Sequence, residues 1–134
     1  MFVDAAALVA ILSGEPESRR CAAALDDAID PITSAIAVWE AAVALARPDK
    51  LDLAIERSER MVRRLLEERG IALRDLPEAN EATSLALEAA RRFRRRSGRL
   101  NLADCFHYAC ARYYRVPILS TADEFRFTDI ETVA

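Results

Sequence analysis

Four acidic residues occupy surroundings in which a carboxylate is costly. Asp4 closes the apolar run Met1-Phe2-Val3, too short for a helix, and the alanine-rich residues 5–12 follow it at once. Glu40 is the only polar residue between positions 35 and 46, with no Lys or Arg within a helical turn on either side. Asp104 is the only charge in residues 101–111, and Asp123 follows the apolar run 116–119 by a few residues. Burying one unpaired carboxylate costs several kcal/mol, on the order of what unfolds a small domain. A cation, a proton or solvent in a cleft must accompany them. The four are therefore expected to meet around a divalent metal, and hard oxygen donors suit Mg²⁺ or Mn²⁺. A water held there becomes a nucleophile at neutral pH, and the ion offsets the charge that develops on a phosphodiester in in-line attack.

What is missing narrows the chemistry. His107 is the only histidine, so acid–base cleavage of RNA by a histidine pair is excluded. There is no Gly-rich phosphate loop, no Gly-x-Ser-x-Gly and no pair of metal-binding histidines. Ala6 stands two residues after Asp4, against the Asp-x-Asp of phosphoaspartate phosphatases, and the single lysine, Lys50, does not follow a late strand as in a receiver domain. His107 lies one turn beyond Asp104 and is expected to be half-buried and satisfied by a neighbour, while Trp39 and Phe106 are expected in the core.

The elements that would position these acids alternate. Residues 1–4 read as a strand, 5–12 as a short helix ended by Ser13-Gly14-Glu15-Pro16, and 17–28 as a second helix stopped before Pro31. Residues 31–33 suit a strand and Ser34 an N-cap for a helix over 35–46, which, being apolar on all sides, is expected to be buried. Asp49 is expected to cap a helix over 51–69, stopped by Gly70, and 71–73 to form a third strand. A long helix over 78–96 follows, then one from Asn101, whose side chain and Asp104 fit a capping box. Residues 116–120 form the fourth clear strand and 130–133 a short closing one. The expected fold is an α/β/α sandwich with a four- or five-stranded, mainly parallel sheet, in a single domain over residues 1–134. Asp4 and Asp123 then lie at the sheet's carboxyl edge, where open α/β proteins place their ligands.

At 134 residues, 52% hydrophobic and 31% charged, the chain reads as globular, without an apolar run of membrane-spanning length or a signal peptide, and a cytoplasmic location is expected. Cys21, Cys105 and Cys110 have neither disulfide parity nor zinc spacing. The formal net charge of −3 hides a basic cluster, because Arg91, Arg92, Arg94, Arg95, Arg96 and Arg99 fall within nine residues that hold no acid. Complementing a helix dipole needs two or three such cations, and the excess favours contact with nucleic-acid phosphate.

Taken together, Phe2-Val3-Asp4 with Ala7-Leu8, Glu40 after Ser34-Ala35, Leu100-Asn101-Leu102-Ala103-Asp104-Cys105 and Leu119-Ser120-Thr121-Ala122-Asp123-Glu124-Phe125 before Thr128-Asp129-Ile130 resemble the PIN-domain family, most closely its VapC-type toxins. The resemblance spans nearly the whole chain. It implies the acidic quartet Asp4, Glu40, Asp104 and Asp123 and a Mg²⁺- or Mn²⁺-dependent endoribonuclease acting on single-stranded or loop RNA. It also implies a homodimer and a VapB-type antitoxin whose C-terminal segment reaches into the acidic cleft, in a higher toxin–antitoxin assembly. Ala5 and Ala6 stand where the family commonly has a small hydroxyl residue, and Thr121 and Ala122 where it usually has a lysine and a glycine. Those departures keep a second reading in view, a PIN-like module that binds RNA or a protein without cutting. A third treats Asp4 and Asp104 as helix caps and Glu40 as the lining of a small-molecule pocket.

Overall fold

The computed structural model describes residues 1–94 and 100–134, and the statements below concern those residues. Its centre is β1 (Phe2–Val3), two fully buried residues flanked in parallel by β2 (Ile32–Ser34) and β4 (Ile118–Leu119). Outside these lie β3 (Ala72–Arg74), beside β2, and β5 (Thr132–Val133), beside β4, giving the all-parallel order β3-β2-β1-β4-β5. Phe2 stands opposite Ile32 and Ile118, so the ends of the three inner strands are level at the carboxyl edge. The helices flanking this sheet complete the expected sandwich. None of them is long and apolar enough to cross a membrane.

Two of the inner strands, β1 and β2, run into helices whose starts are built by a short polar side chain. Asp4 caps α1 (Ala5–Ser13), accepting from the Ala6 amide at 3.4 Å, and Gly14 ends the helix at φ 69°, a left-handed conformation that glycine adopts without steric cost. Ser34 caps α3 (Ala35–Ala46), accepting from the Ala37 amide at 3.3 Å. Between them lies α2 (Ser18–Asp26), shorter than its apolar pattern suggested. Asn101 and Asp104 form the expected capping box of α6 (Leu102–Tyr114): the Asp104 amide donates to Asn101 Oδ1 at 3.0 Å, and the Asn101 amide to Asp104 Oδ2 at 2.7 Å.

Three further helices depart from their pattern. Helix α4 (Ile55–Glu68) starts later than expected because Asp52 takes φ 49°, and Asp49 does not cap it but chelates Arg47 through two bonds of 2.9 and 2.8 Å. Helix α5 (Ala79–Ala89) gives way at Ala90–Arg94 to a wider, π-type turn that still buries Phe93, and residues 95 and 96, expected to end the helix, lie outside the described residues. Helix α3 is not buried all round. Ala37, Val38, Ala41, Ala42 and Leu45 face the core, but Trp39 is 65% exposed and does not join the core as expected. Phe106 is packed against the core only in part. The three cysteines are free and buried, in keeping with their spacing.

Candidate metal centre

The carboxyl edge gathers side chains from four elements. Asp4, at the end of β1, is almost wholly buried, and its Oδ2 accepts from the Ser120 hydroxyl, just past β4, at 2.7 Å. Ser120 in turn accepts from the Ala122 amide at 3.0 Å, which fixes its hydroxyl. The hydroxyl partner absent at Ala5 and Ala6 thus comes from the neighbouring strand, 116 residues away in sequence.

His107 on α6 projects between Asp4 and Glu40. Its Nδ1 lies 2.8 Å from Asp4 Oδ1 and its Nε2 3.3 Å from Glu40 Oε2. The imidazole is fully buried, not half-buried as expected, and neither nitrogen has the alignment of a hydrogen bond, so both remain without one. Phe2 supports the ring, with centroids 5.5 Å apart. Ligand atoms of Asp4, Glu40 and His107 lie within 4.8 Å of one another, the only such triad among the described residues.

Electrostatics reflect this crowding. Burial drives the Asp4 carboxyl upward, but His107 and then Ser120 outweigh it and hold Asp4 below the usual carboxylate range. Burial likewise pushes His107 down, and Asp4 with the charges of Glu40 and Asp104 more than reverses that. Glu40 is pushed up by burial and by Asp4 and Asp104, against the pull of His107. Asp104 is also raised, chiefly by burial, with Asp4 and Glu124 adding to it and the Asn101 amide opposing. The three acids therefore sense one another, although Asp104 stands outside the tight triad.

The structure does not bring Asp123 into that group. It begins the 3₁₀ turn Asp123–Phe127, is largely exposed and pairs with Arg126 at 3.3 Å. Its neighbour Glu124 is the acid whose charge reaches Asp104. Of the arginine cluster, Arg91 and Arg94 are exposed, whereas Arg92 pairs with Glu88 at 2.8 Å and Asp129 at 2.9 Å and lies over the Phe93 ring. Arg95, Arg96 and Arg99 lie outside the described residues. Beside Glu40 runs a groove of about 420 Å³ bordered by Ala6, Trp39, Arg47, Lys50 and Thr121, in which Lys50 pairs with Glu15.

Sequence reasoning placed Asp4, Glu40 and Asp104 but missed Ser120 and the burial of His107. Position 107 offered one signal, a lone polar ring at the i+3 position from Asp104 in an apolar helix.

The PIN domain family model matches residues 1–131. Ribonuclease VapC42 of Mycobacterium tuberculosis is 35% identical over 133 residues, spanning 97% of this chain and 96% of that protein. Ribonuclease VapC30 of the same species is 35% identical over 144 residues, spanning 100% and 98%. Among solved structures, Mycobacterium tuberculosis VapC20, a sarcin–ricin loop cleaving toxin, superposes with a TM-score of 0.75 at 14% identity, covering 96% of this chain and 95% of that one. FitAcB from Neisseria gonorrhoeae gives 0.64 at 20% identity, with coverage of 99% and 96%. At those identities the two structures speak for the fold alone.

Proposed function

The chain belongs to the PIN domain family and to its VapC ribonucleases, the RNase toxins of toxin–antitoxin systems, and from that premise we propose that it cuts RNA endonucleolytically with a divalent ion held by Asp4, Glu40 and Asp104. One observation carries the reading: carboxylates of Asp4 and Glu40 converge with a buried, hydrogen-bond-orphaned imidazole at the end of the central strand. The two carboxylates of that set suit Mg²⁺ or Mn²⁺. Such an ion, when bound, supplies an activated water and offsets the charge that builds on the phosphodiester.

The protein's own groups do the rest. Ser120 and His107 fix the rotamer of Asp4, so that its carboxylate is aimed before any ligand arrives. Glu40 keeps a quarter of its side chain exposed and, with its carboxyl pushed upward chiefly by burial, is placed to take a proton from the attacking water at Oε1 or Oε2. Asp123 and Glu124 are the two acids of the last turn, and Asp123 completes the quartet in this proposal. Arg91 and Arg94, with Arg95, Arg96 and Arg99, would meet RNA phosphates, while Arg92 is committed to Glu88 and Asp129.

A VapB-type antitoxin and a homodimer belong to the same proposal. Trp39 and Leu102, the latter 75% exposed, border with Ile36 and Phe106 an almost wholly apolar hollow beside Glu40, a seat for an antitoxin segment next to the acids. The test is incubation of untagged protein with a mixed single-stranded RNA pool and Mn²⁺, beside EDTA and Asp104→Asn controls prepared identically. Metal-dependent products lost in both controls are expected. A folded, metal-loaded sample that retards RNA without cutting it would favour the binding module, which Ala5 and Ala6 bring to mind.

A further inference from the structure

We propose that His107 is itself a ligand of the ion held by Asp4 and Glu40, so that this chain has a mixed imidazole–carboxylate centre selecting Mn²⁺ and other transition ions over Mg²⁺. The inference deepens the metal-site reading and rests on it for the two carboxylates.

Three independent features point to it. The first is position: the imidazole contributes one of three ligand atoms within 4.8 Å of one another, a span that a single ion can bridge. The second is satisfaction. A buried polar group without a hydrogen bond costs free energy, and both ring nitrogens of His107 are buried without an aligned one, although each touches a carboxylate. A lone pair given to a metal removes that deficit at one nitrogen, and a proton facing a carboxylate removes it at the other.

The third is the difference between the two nitrogens. Nδ1 is the closer to its partner, 2.8 Å from Asp4, which is deeply buried. Nε2 is 3.3 Å from Glu40, which borders the groove and reaches solvent. Nε2 is therefore the nitrogen whose lone pair is offered beside Glu40 on the accessible side. Phe2 and the turn of α6 hold the ring in that attitude. The consequence for selectivity follows from ligand chemistry. Mg²⁺ binds oxygen and retains its waters, while imidazole nitrogen shifts preference toward Mn²⁺, Fe²⁺, Co²⁺ and Zn²⁺ in rising order of affinity.

The sequence makes the test clean, because His107 is the only histidine in the chain. Untagged protein would be prepared with ¹⁴N- and with ¹⁵N-histidine, loaded with one equivalent of Mn²⁺ and measured by pulsed electron paramagnetic resonance. The expected result is a nitrogen coupling of directly bound imidazole that changes from ¹⁴N to ¹⁵N character with the label. No substitution is needed, so folding of a variant does not enter. Alongside it, His107→Gln is expected to weaken Mn²⁺ binding about tenfold or more and Mg²⁺ binding by less. Mn²⁺ that binds, is lost in Asp4→Asn, and shows no histidine coupling would overturn the proposal while sparing the metal-site reading. Failure to bind Mn²⁺ at all would overturn both.

Discussion

Replacing Ser120 with alanine probes the one strand-to-strand contact that aims Asp4. The hydroxyl donates to Asp4 Oδ2 at 2.7 Å, in a place where both groups are almost wholly buried. A hydrogen bond to a charged group contributes roughly 1.5–3 kcal/mol, and what remains to Oδ2 is the long 3.4 Å contact with the Ala6 amide. The Ala122 amide also loses its acceptor. The expected loss is about 2 kcal/mol at pH 7, a fall in Tm of roughly 6–10 °C for a chain of this length. Urea unfolding in EDTA, with wild type and variant side by side, measures it. The pH dependence gives a second handle. Because the folded pKa of Asp4 is depressed, its stabilisation is present above the unfolded value of about 3.9 and is lost as pH falls through the folded one. The gap between the two proteins should therefore narrow in acid below that range. A difference under about 0.5 kcal/mol at pH 7, or one that persists unchanged into acid, would refute the claim that Ser120 anchors a charged Asp4.

Three further outcomes follow from the same geometry. In EDTA, the His107 contribution is present below the unfolded pKa of about 6.5 and is lost as pH rises through its raised folded value, so wild-type stability should decline over that window while His107→Gln shows no such decline; parallel pH–melt curves would contradict it. Mn²⁺ at a hundred times its Kd should stabilise the wild type by about 2.7 kcal/mol and Asp4→Asn by far less, read as the shift of a thermal melt. Asp129→Ala removes the acceptor of the Tyr108 hydroxyl at 2.9 Å and a partner of Arg92, and should cost about 1–2 kcal/mol in denaturant while leaving metal-dependent RNA cleavage intact.

The acids gathered near the carboxyl edge were legible because each carries a local signal. Asp4 sits where a two-residue strand meets a helix, Glu40 breaks an otherwise apolar helix whose observed bounds, Ala35–Ala46, match the pattern, and Asp104 completes a capping box with Asn101. The parallel sheet was legible for the same reason, since apolar runs alternating with helical periodicity leave few other topologies. What the sequence hid depends on partners far away in it. Ser120 reads as an ordinary strand-end serine until β4 lies beside β1. Arg92 reads as a phosphate ligand until Asp129 arrives from the other end of the chain. Likewise, an all-apolar helix signals burial, but only the fold shows that Trp39 is left largely uncovered by the described residues.

The proposed ion lies between Asp4 and Glu40 at the carboxyl edge of the sheet. Anomalous diffraction from crystals soaked in Mn²⁺ tests that placement most directly. The expected result is a single strong peak within bonding distance of both carboxylates and of His107. A peak elsewhere, or none in a lattice that leaves Glu40 open to solvent, would contradict it.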